Sequence, residues 1–185
     1  DIERCDVTAA DDVQRLIGSF GTVRPVLRGV VHAAGALHDG MLVRQQWSDF
    51  EKGLGAKVHG IWQLHRATEG MSLDFFVCYS SVASVIGSPG QGSYAAANAF
   101  MDSFAHARRA EGLPALSISW GAWQRGGMVA RMAETDRARL TAEGFVPLSD
   151  SAADAVLNQL VGSKRVHALG VSADWQAYVE RHPNK

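Results

Sequence analysis

Stretches of apolar residues alternate with amphipathic stretches along the chain, and this alternation predicts strands and helices in turn. The stretch at 73–80 is rich in apolar residues, as is typical of a central strand in a parallel sheet. Between such stretches, apolar residues recur at helical spacing. Strands are predicted at 27–32, 73–80 and 115–120, and helices at 11–20, at 47–68 and from 94 to about 111.

Strands that alternate with helices favour an α/β fold, a Rossmann-like doubly wound parallel sheet with helices on both faces. A short first strand is expected to end near Asp6, and Thr8 is a candidate cap for the helix that follows. The Gly-rich turn of a dinucleotide-binding fold would precede that strand, but only five residues stand before Asp6. The chain is therefore expected to lack the first two strands of such a sheet and the Gly-rich turn, and to form a single domain over residues 1–185.

Four polar residues form a combination suited to the reduction of a carbonyl group. Tyr94 and Asn98 are four positions apart, which places them on one face of the same predicted helix. Ser81 follows a predicted strand, where its hydroxyl can polarise a carbonyl group while Tyr94 delivers a proton. A phenol with a pKa of about 10 is a poor acid near neutrality, so Lys57 is expected to lower the pKa of Tyr94. Taken singly, each residue is more often a packing, solvated or turn residue, and only the joint spacing points to catalysis.

This spacing resembles the short-chain dehydrogenase/reductase superfamily and, within it, the ketoreductase domain of modular type I polyketide synthases. Ordinary members of the superfamily carry Tyr-x-x-x-Lys and an Asn on the preceding helix, whereas this chain has Asn98 after Tyr94 and Lys57 on the earlier helix. The two roles look exchanged, as they are in the ketoreductases of polyketide synthases and animal fatty-acid synthases. The resemblance also rests on Cys5-Asp6-Val7-Thr8, His32-Ala33-Ala34-Gly35, Phe76-Val77-Cys78-Tyr79-Ser80-Ser81, Gly87-Ser88-Pro89-Gly90-Gln91-Gly92 and Trp120-Gly121-Ala122-Trp123.

The resemblance implies an NADPH-dependent enzyme that reduces a β-keto group on an intermediate bound to acyl carrier protein through phosphopantetheine. In that enzyme Tyr94 would donate the proton and Ser81 would bind the carbonyl oxygen. Lys57 would hold the cofactor ribose, and Asn98 would position Lys57 or a water molecule of a proton relay. The residues expected to contact the cofactor are Asp6, Val7, Ala33, Ala34, Gly35, Lys57, Tyr94 and Gly121.

The resemblance also implies how the chain is organised and which partners it has. The chain would be the C-terminal portion of a ketoreductase catalytic subdomain, with a lid over about 124–145 and the last helix and strand at 148–162 and 166–171. Its partners would be acyl carrier protein, the remaining N-terminal part of the ketoreductase and the other domains of the synthase.

The resemblance extends to the stereochemistry of the product. Enzymes that form the D-configured alcohol, called B-type, carry Leu-Asp-Asp where this chain has Leu37-His38-Asp39. A-type enzymes carry a Trp eight residues before the catalytic Tyr, a position that Ile86 holds, and Pro89 fits the B-type pattern. A B-type product is therefore expected, although Ser93 stands where Asn is commoner. His38 is interpreted as a loop residue without a role, in preference to a contact with the pantetheine arm.

Composition and charge narrow the possible functions. The chain has 185 residues, a formal net charge of -1 and a pI near 6.7, so no electrostatic argument favours nucleic acid or an anionic membrane as partner. Cys5 and Cys78 are interpreted as free thiols in a reducing cytoplasm, and the scattered histidines predict no metal site. Two alternatives remain open, a fatty-acid-synthase or freestanding β-ketoacyl reductase, and a non-catalytic reductase relic in a megasynthase. The presence of all four candidate catalytic side chains argues against the relic.

Overall fold

The computed structural model describes residues 1–125, 141–142 and 144–182. Its centre is a four-stranded parallel sheet in which β1 is followed by β2, β3 and then β5. Two further short strands, β4 and β6, pair with each other in antiparallel orientation. The strands are β1 (Gly29–His32), β2 (Phe75–Ser81), β3 (Leu116–Trp120), β4 (Phe145–Val146), β5 (His167–Gly170) and β6 (Ser172–Ala173).

Helices connect the strands of the sheet. A single helical segment crosses from β1 to β2, and its middle part, Gly55–Gly60, is a π-helix. A short 3-10 turn, Leu42–Arg44, precedes this segment. The helices are α1 (Ala10–Gly18), α2 (Trp47–Leu54), α3 (Ile61–Thr68), α4 (Ala83–Ile86), α5 (Gly92–Ala110), α6 (Asp150–Val161) and α7 (Trp175–Arg181).

Side chains of the central strands point alternately to the two faces of the sheet, and each face buries its own apolar cluster. On one face, Phe76 and Cys78 pack with side chains of α1, α3 and α5. On the other face, Val77 and Ile118 pack with α6, where Leu160 belongs to the same cluster. Helices therefore cover both faces of a parallel sheet, which confirms the predicted fold class.

The register of the strands brings their carboxyl ends to one edge of the sheet. Ser81 at the end of β2 lies beside Trp120 at the end of β3, and His32 at the end of β1 lies beside Cys78. Parallel α/β sheets bind their ligands at this edge. The residues that follow these strands are therefore the place to look for a site.

Two expectations about the first residues are wrong. No strand ends near Asp6, because residues 1–6 have no neighbouring strand to pair with among the described residues, and Ile2 is fully exposed. Thr8 does not cap α1, whose N-cap is Ala9 without a side-chain hydrogen bond. The Thr8 hydroxyl instead donates to Asp6 Oδ1 over 2.8 Å, and the helix begins two residues after Thr8, at Ala10.

The lid expected over about 124–145 lies mostly at 126–140 and 143, outside the described residues. In the part of the chain that the structure describes, no helix has the length and apolar character needed to span a membrane. Within the same ranges, no group of His, Cys, Asp and Glu side chains is arranged to hold a metal ion.

Candidate active site

The four candidate catalytic residues come together at the carboxyl edge of the sheet and are carried by three elements. Ser81 ends β2, Tyr94 and Asn98 lie on the first turns of α5, and Lys57 lies in the π-helical segment. The Lys57 ammonium is 5.7 Å from the centre of the Tyr94 ring. Three of the four side chains are buried, at 3% exposed for Lys57, 6% for Tyr94 and 0% for Asn98.

Lys57 is a buried cation that no carboxylate of the described residues contacts. Its Nζ donates a hydrogen bond to the backbone oxygen of Tyr79 over 2.9 Å. Burial lowers the pKa of Lys57 from 10.5 to about 8, and the charge of Asp102 opposes part of that shift. Gly35 packs against this side chain, and a Cβ at Gly35 would lie 2.8 Å from Lys57 Cε. Gly35 therefore leaves the space that Lys57 occupies.

Tyr94 keeps its proton through the neutral range. Burial raises the pKa of Tyr94 above its usual value, and hydrogen bonding by the side chains of Ser81 and Asn98 offsets part of the rise. The sequence predicted that Lys57 would lower this pKa. The net direction in the structure is the opposite, because the loss of water around the phenol outweighs the favourable contacts. Tyr94 is thus neutral, and the side chains of Ser81 and Asn98 can donate hydrogen bonds to its ionised form.

Asn98 and Ser81 are held by backbone groups. Asn98 Nδ2 donates to the backbone oxygen of Tyr94 over 2.7 Å, which fixes the amide one turn along the same helix. Its Oδ1 is buried and accepts no hydrogen bond from the described residues. Ser81 Oγ accepts from the backbone N–H of Ala83 over 3.2 Å, and its one hydroxyl proton can go either to the Tyr94 phenol or to a substrate oxygen.

The residues expected to contact a cofactor have different surroundings. Asp6 is exposed, and its carboxylate accepts a hydrogen bond from the Thr8 N–H. This hydrogen bond holds the pKa of the carboxylate below the usual range. Val7 packs on Gly60 of the π-helix, where a Cβ would lie 2.8 Å from Val7 Cγ2. Gly121 continues β3 and donates its N–H to Gly170 over 2.9 Å. Directly after β1, Ala33 and Gly35 are exposed and Ala34 is half-buried.

The residues expected to control stereochemistry lie in two loops that hydrogen bond to each other. Gln91 Nε2 donates to both carboxylate oxygens of Asp39, over 3.1 and 3.2 Å. The Gly40 N–H donates to the oxygen of Gly90 over 2.7 Å, and Gly90 takes a φ of 76°, a left-handed conformation that suits glycine. Exposed in these loops are Leu37, Asp39 and Pro89, whereas His38 is half-buried and its backbone oxygen accepts from Gln45 and Ser93.

Two buried polar residues near the site were not predicted from the sequence. Asp102, four residues after Asn98, accepts from Ser117 and from Ser84, each over 2.6 Å, and so ties α5 to β3 and α4. A carboxylate four residues from Asn98 on an apolar helix face was a signal that could have identified it. The second residue is His32, 2% exposed, whose Nε2 lies 3.0 Å from the backbone oxygen of Ala56.

A parallel sheet with a buried Tyr, a buried Lys and a Ser at its carboxyl edge defines the class of protein, a doubly wound α/β domain with the polar groups of an oxidoreductase. A family model described as "KR domain" matches residues 1–125. The chain belongs to this family, the ketoreductase domains of modular type I polyketide synthases.

Similarity to curated proteins leads to the same family. "Phenolphthiocerol synthesis polyketide synthase type I Pks15/1" of Mycobacterium marinum is 40% identical over 158 residues, which cover 85% of this chain and 8% of that protein. "Polyketide synthase GfsE" of Streptomyces halstedii is 42% identical over 163 residues, which cover 88% of this chain and 4% of that protein. The chain thus spans less than a tenth of the length of either relative.

Solved structures agree on the fold over almost the whole chain. "Structure of A-type Ketoreductases from Modular Polyketide Synthase" superposes with a TM-score of 0.91 at 31% identity, over 100% of this chain and 38% of that one. "The first ketoreductase of the tylosin PKS" superposes with a TM-score of 0.83 at 37% identity, over 96% of this chain and 38% of that one.

Proposed function

We propose that this chain carries the catalytic residues of an NADPH-dependent ketoreductase, which reduces the β-keto group of an intermediate bound to acyl carrier protein. The observation that carries the proposal is the buried set of Tyr94, Lys57 and Asn98 beside Ser81. Burying a lysine without a contacting carboxylate costs stability, and such groups cluster at functional sites. Membership of the KR family supports the same reaction class.

The proton for the reaction comes from Tyr94. Ser81 donates a hydrogen bond to the substrate carbonyl oxygen and polarises it, while the neutral Tyr94 phenol protonates the same oxygen as it becomes an alkoxide. The Tyr94 phenolate left behind is stabilised by the hydrogen bond from Asn98 and by the positive charge of Lys57, while the Ser81 proton stays on the substrate oxygen. Lys57 has a pKa of about 8, so it carries this charge through the neutral range.

The residues present fit the nicotinamide-ribose half of the cofactor. The Lys57 ammonium has three N–H donors and uses one for Tyr79, so it can also donate to ribose hydroxyls. Asn98 Oδ1 is a buried acceptor that a hydroxyl or a water molecule would satisfy. Ala33 to Gly35 would line the ribose, and Asp6 and Val7 would contact the adenine. When bound, NADPH supplies the hydride that reduces the carbonyl carbon.

The loops around Asp39 support a B-type, D-configured product. Asp39 and Pro89 match the B-type pattern, and the hydrogen bonds from Gln91 hold the Asp39 carboxylate in place at the mouth of the site. Leu37 and His38 would complete the same rim. Chiral analysis of the alcohol formed from a β-ketoacyl thioester tests this assignment. We expect the D alcohol to dominate, and a predominantly L product would overturn it.

The partners and location follow from the proposed role. The substrate arrives on the phosphopantetheine arm of acyl carrier protein, and the remaining ketoreductase sequence and the other synthase domains surround this chain in the cytoplasm. A fatty-acid-synthase β-ketoacyl reductase would use the same residues to reduce fatty-acyl intermediates instead of polyketide intermediates. A non-catalytic relic would have no reason to keep a buried Lys57 beside Tyr94.

An absorbance assay of the intact ketoreductase tests the proposed function. The protein is mixed with NADPH and a simple ketone such as a decalone, and with a β-ketoacyl thioester in a parallel sample, and oxidation of the nicotinamide is followed. We expect ketone-dependent oxidation with both substrates and a preference for NADPH over NADH. A protein that binds NADPH but oxidises it no faster with ketone than without would be the relic, and the proposal would be wrong.

A further inference from the structure

His32 is a buried histidine that the reaction proposed above does not use. It ends β1, is 2% exposed, and contacts the backbone oxygen of Ala56, the residue directly before Lys57. We infer that His32 is a positioning residue that sets the place of Lys57 by holding the Ala56 carbonyl. This inference rests on the proposed function, because the value of a fixed Lys57 lies in its role beside Tyr94.

The direction of the hydrogen bond follows from its acceptor. A backbone carbonyl only accepts, so Nε2 of His32 carries the proton and donates to Ala56 over 3.0 Å. Burial lowers the pKa of His32 to about 4, and the charge of Lys57 adds to that shift. His32 is therefore neutral at the pH of the cytoplasm. It acts on Lys57 through a hydrogen bond and adds no charge to the site.

The segment that His32 holds has an unusual backbone. Gly55–Gly60 is a π-helix within an otherwise α-helical crossover, and π-helical turns are rare and concentrate at functional sites. A turn of this kind widens the helix and redirects the side chains it carries. Lys57 lies in this turn and reaches the end of β2, where it donates to Tyr79.

Close contacts hold the same segment from its other sides. Gly35 packs on Lys57 Cε, and Val7 packs on Gly60, each at a distance where a glycine Cβ would clash. These contacts are apolar and limit how far the segment can approach its neighbours. The hydrogen bond from His32 adds a directional contact that links the π-helical turn to the sheet, one residue away from Lys57.

Few charges face Lys57, so a shift of its pKa reports a change in the position of its ammonium group. The titratable groups around it are His32 on β1, Cys78 on β2, and Tyr94 and Asp102 on α5. His32 is neutral, and burial raises the pKa of Cys78 to about 12, so neither carries charge near neutrality. The pKa of Lys57 is set chiefly by its burial. It will rise if the ammonium moves toward water.

Two substitutions of similar length separate the hydrogen bond from the bulk of the side chain. His32→Gln keeps an N–H donor that can reach Ala56, and His32→Met fills similar space without a donor. In the intact ketoreductase, we expect His32→Met to lower kcat by about ten- to a hundredfold, because small displacements of catalytic groups have effects of this size. We expect His32→Gln to restore most of the rate.

The pKa of Lys57 provides a second measurement, which would not change if His32 only supported the fold. NMR of the labelled Lys57 side chain, assigned by the loss of its signal in Lys57→Met, follows its pKa without substrate or cofactor. We expect the pKa to shift toward the ordinary lysine value in His32→Met and to stay near that of the wild type in His32→Gln. The alkaline limb of the rate profile should move in parallel.

The outcomes decide the inference separately from the proposed function. Equal behaviour of the two variants, whether both like the wild type or both impaired, would overturn it. If His32→Met does not fold, His32→Asn replaces it, since its amide is too short to reach Ala56, and it must show the same loss. If the wild-type protein reduces no ketone, the proposed function fails, while the Lys57 titration still reports whether His32 holds this lysine.

Discussion

The candidate catalytic groups and the loops around Asp39 are built in different ways. Lys57, Tyr94 and Asn98 are all buried, and each is held by a backbone contact or a close-packed neighbour. Asp39 and Pro89 are exposed, and hydrogen bonds between two loops hold their region in place. Under the proposed function, the rate would depend on groups whose burial costs stability. The choice of product face would depend on exposed contacts that can change at little cost to the fold.

A large effect on both rate and stability is expected for Lys57→Met, which removes the buried cation. The rate of ketone reduction should fall about a thousandfold, because the Tyr94 phenolate loses its nearby positive charge. The free energy of unfolding should rise by about 1 to 3 kcal/mol at neutral pH, because a buried charge is no longer desolvated. Decalone reduction and urea denaturation measure the two effects.

The sign of the stability effect can be checked against pH. The folded-state pKa of Lys57, about 8, lies below its ordinary value of 10.5, so the unfolded chain holds this proton more tightly. Lys57 therefore destabilises the fold most below pH 8, and the penalty fades as pH rises to about 10.5. The gain from Lys57→Met should follow the same course. A variant as active as the wild type, or less stable at every pH, would contradict the assignment.

An intermediate effect is expected for Asp102→Asn, which keeps the shape of the residue and removes its charge. The charge of Asp102 raises the pKa of Lys57, so its removal should lower that pKa further below about 8. The proposed mechanism requires a protonated Lys57, so the alkaline limb of the rate profile should move to lower pH. Asp102→Glu is the charge-preserving control and should keep the limb in place. A limb that moves upward in Asp102→Asn would show that Lys57 does not set it.

A smaller effect on stability is expected for Gln91→Leu, which removes the hydrogen bonds to Asp39. The ratio of D to L alcohol should fall by about tenfold, while the free energy of unfolding changes by only about 0.5 kcal/mol because the contact is exposed. The same exchange in α7, Gln176→Leu, removes another exposed glutamine contact and should leave the product ratio unchanged. An unaltered ratio of D to L alcohol in both variants would show that the Asp39 loop does not control the stereochemistry of the product.

Much of the fold and the identity of the candidate catalytic residues could be predicted because they depend on local patterns. The apolar stretch at 73–80 and the four-residue spacing of Tyr94 and Asn98 are visible in sequence alone. The predicted strands 27–32, 73–80 and 115–120 correspond to β1, β2 and β3, with ends that differ by at most two residues. The four side chains were expected to meet, and in the structure they lie together at one edge of the sheet.

What could not be predicted depends on the environment that distant residues create. No strand forms near Asp6 because, among the described residues, it has no neighbouring strand to pair with, as the expected lack of the first two strands implies. The expected direction of the Tyr94 pKa shift was wrong because the burial of this side chain, which raises its pKa, depends on tertiary packing that the local sequence does not specify. The π-helical turn at Gly55–Gly60 and its contact with His32 arise from the crossover as a whole, and residue preferences do not encode them.

The central claim is that the buried Tyr94 phenol delivers the proton, and single-turnover reduction by Tyr94→Phe in the intact ketoreductase tests it most directly. Phe keeps the ring in its buried place and removes only the hydroxyl. We expect NADPH to bind with nearly unchanged affinity and the rate of nicotinamide oxidation with a β-ketoacyl thioester to fall by about a thousandfold or more. A variant that binds NADPH and retains most of the single-turnover rate would show that the proton comes from another group.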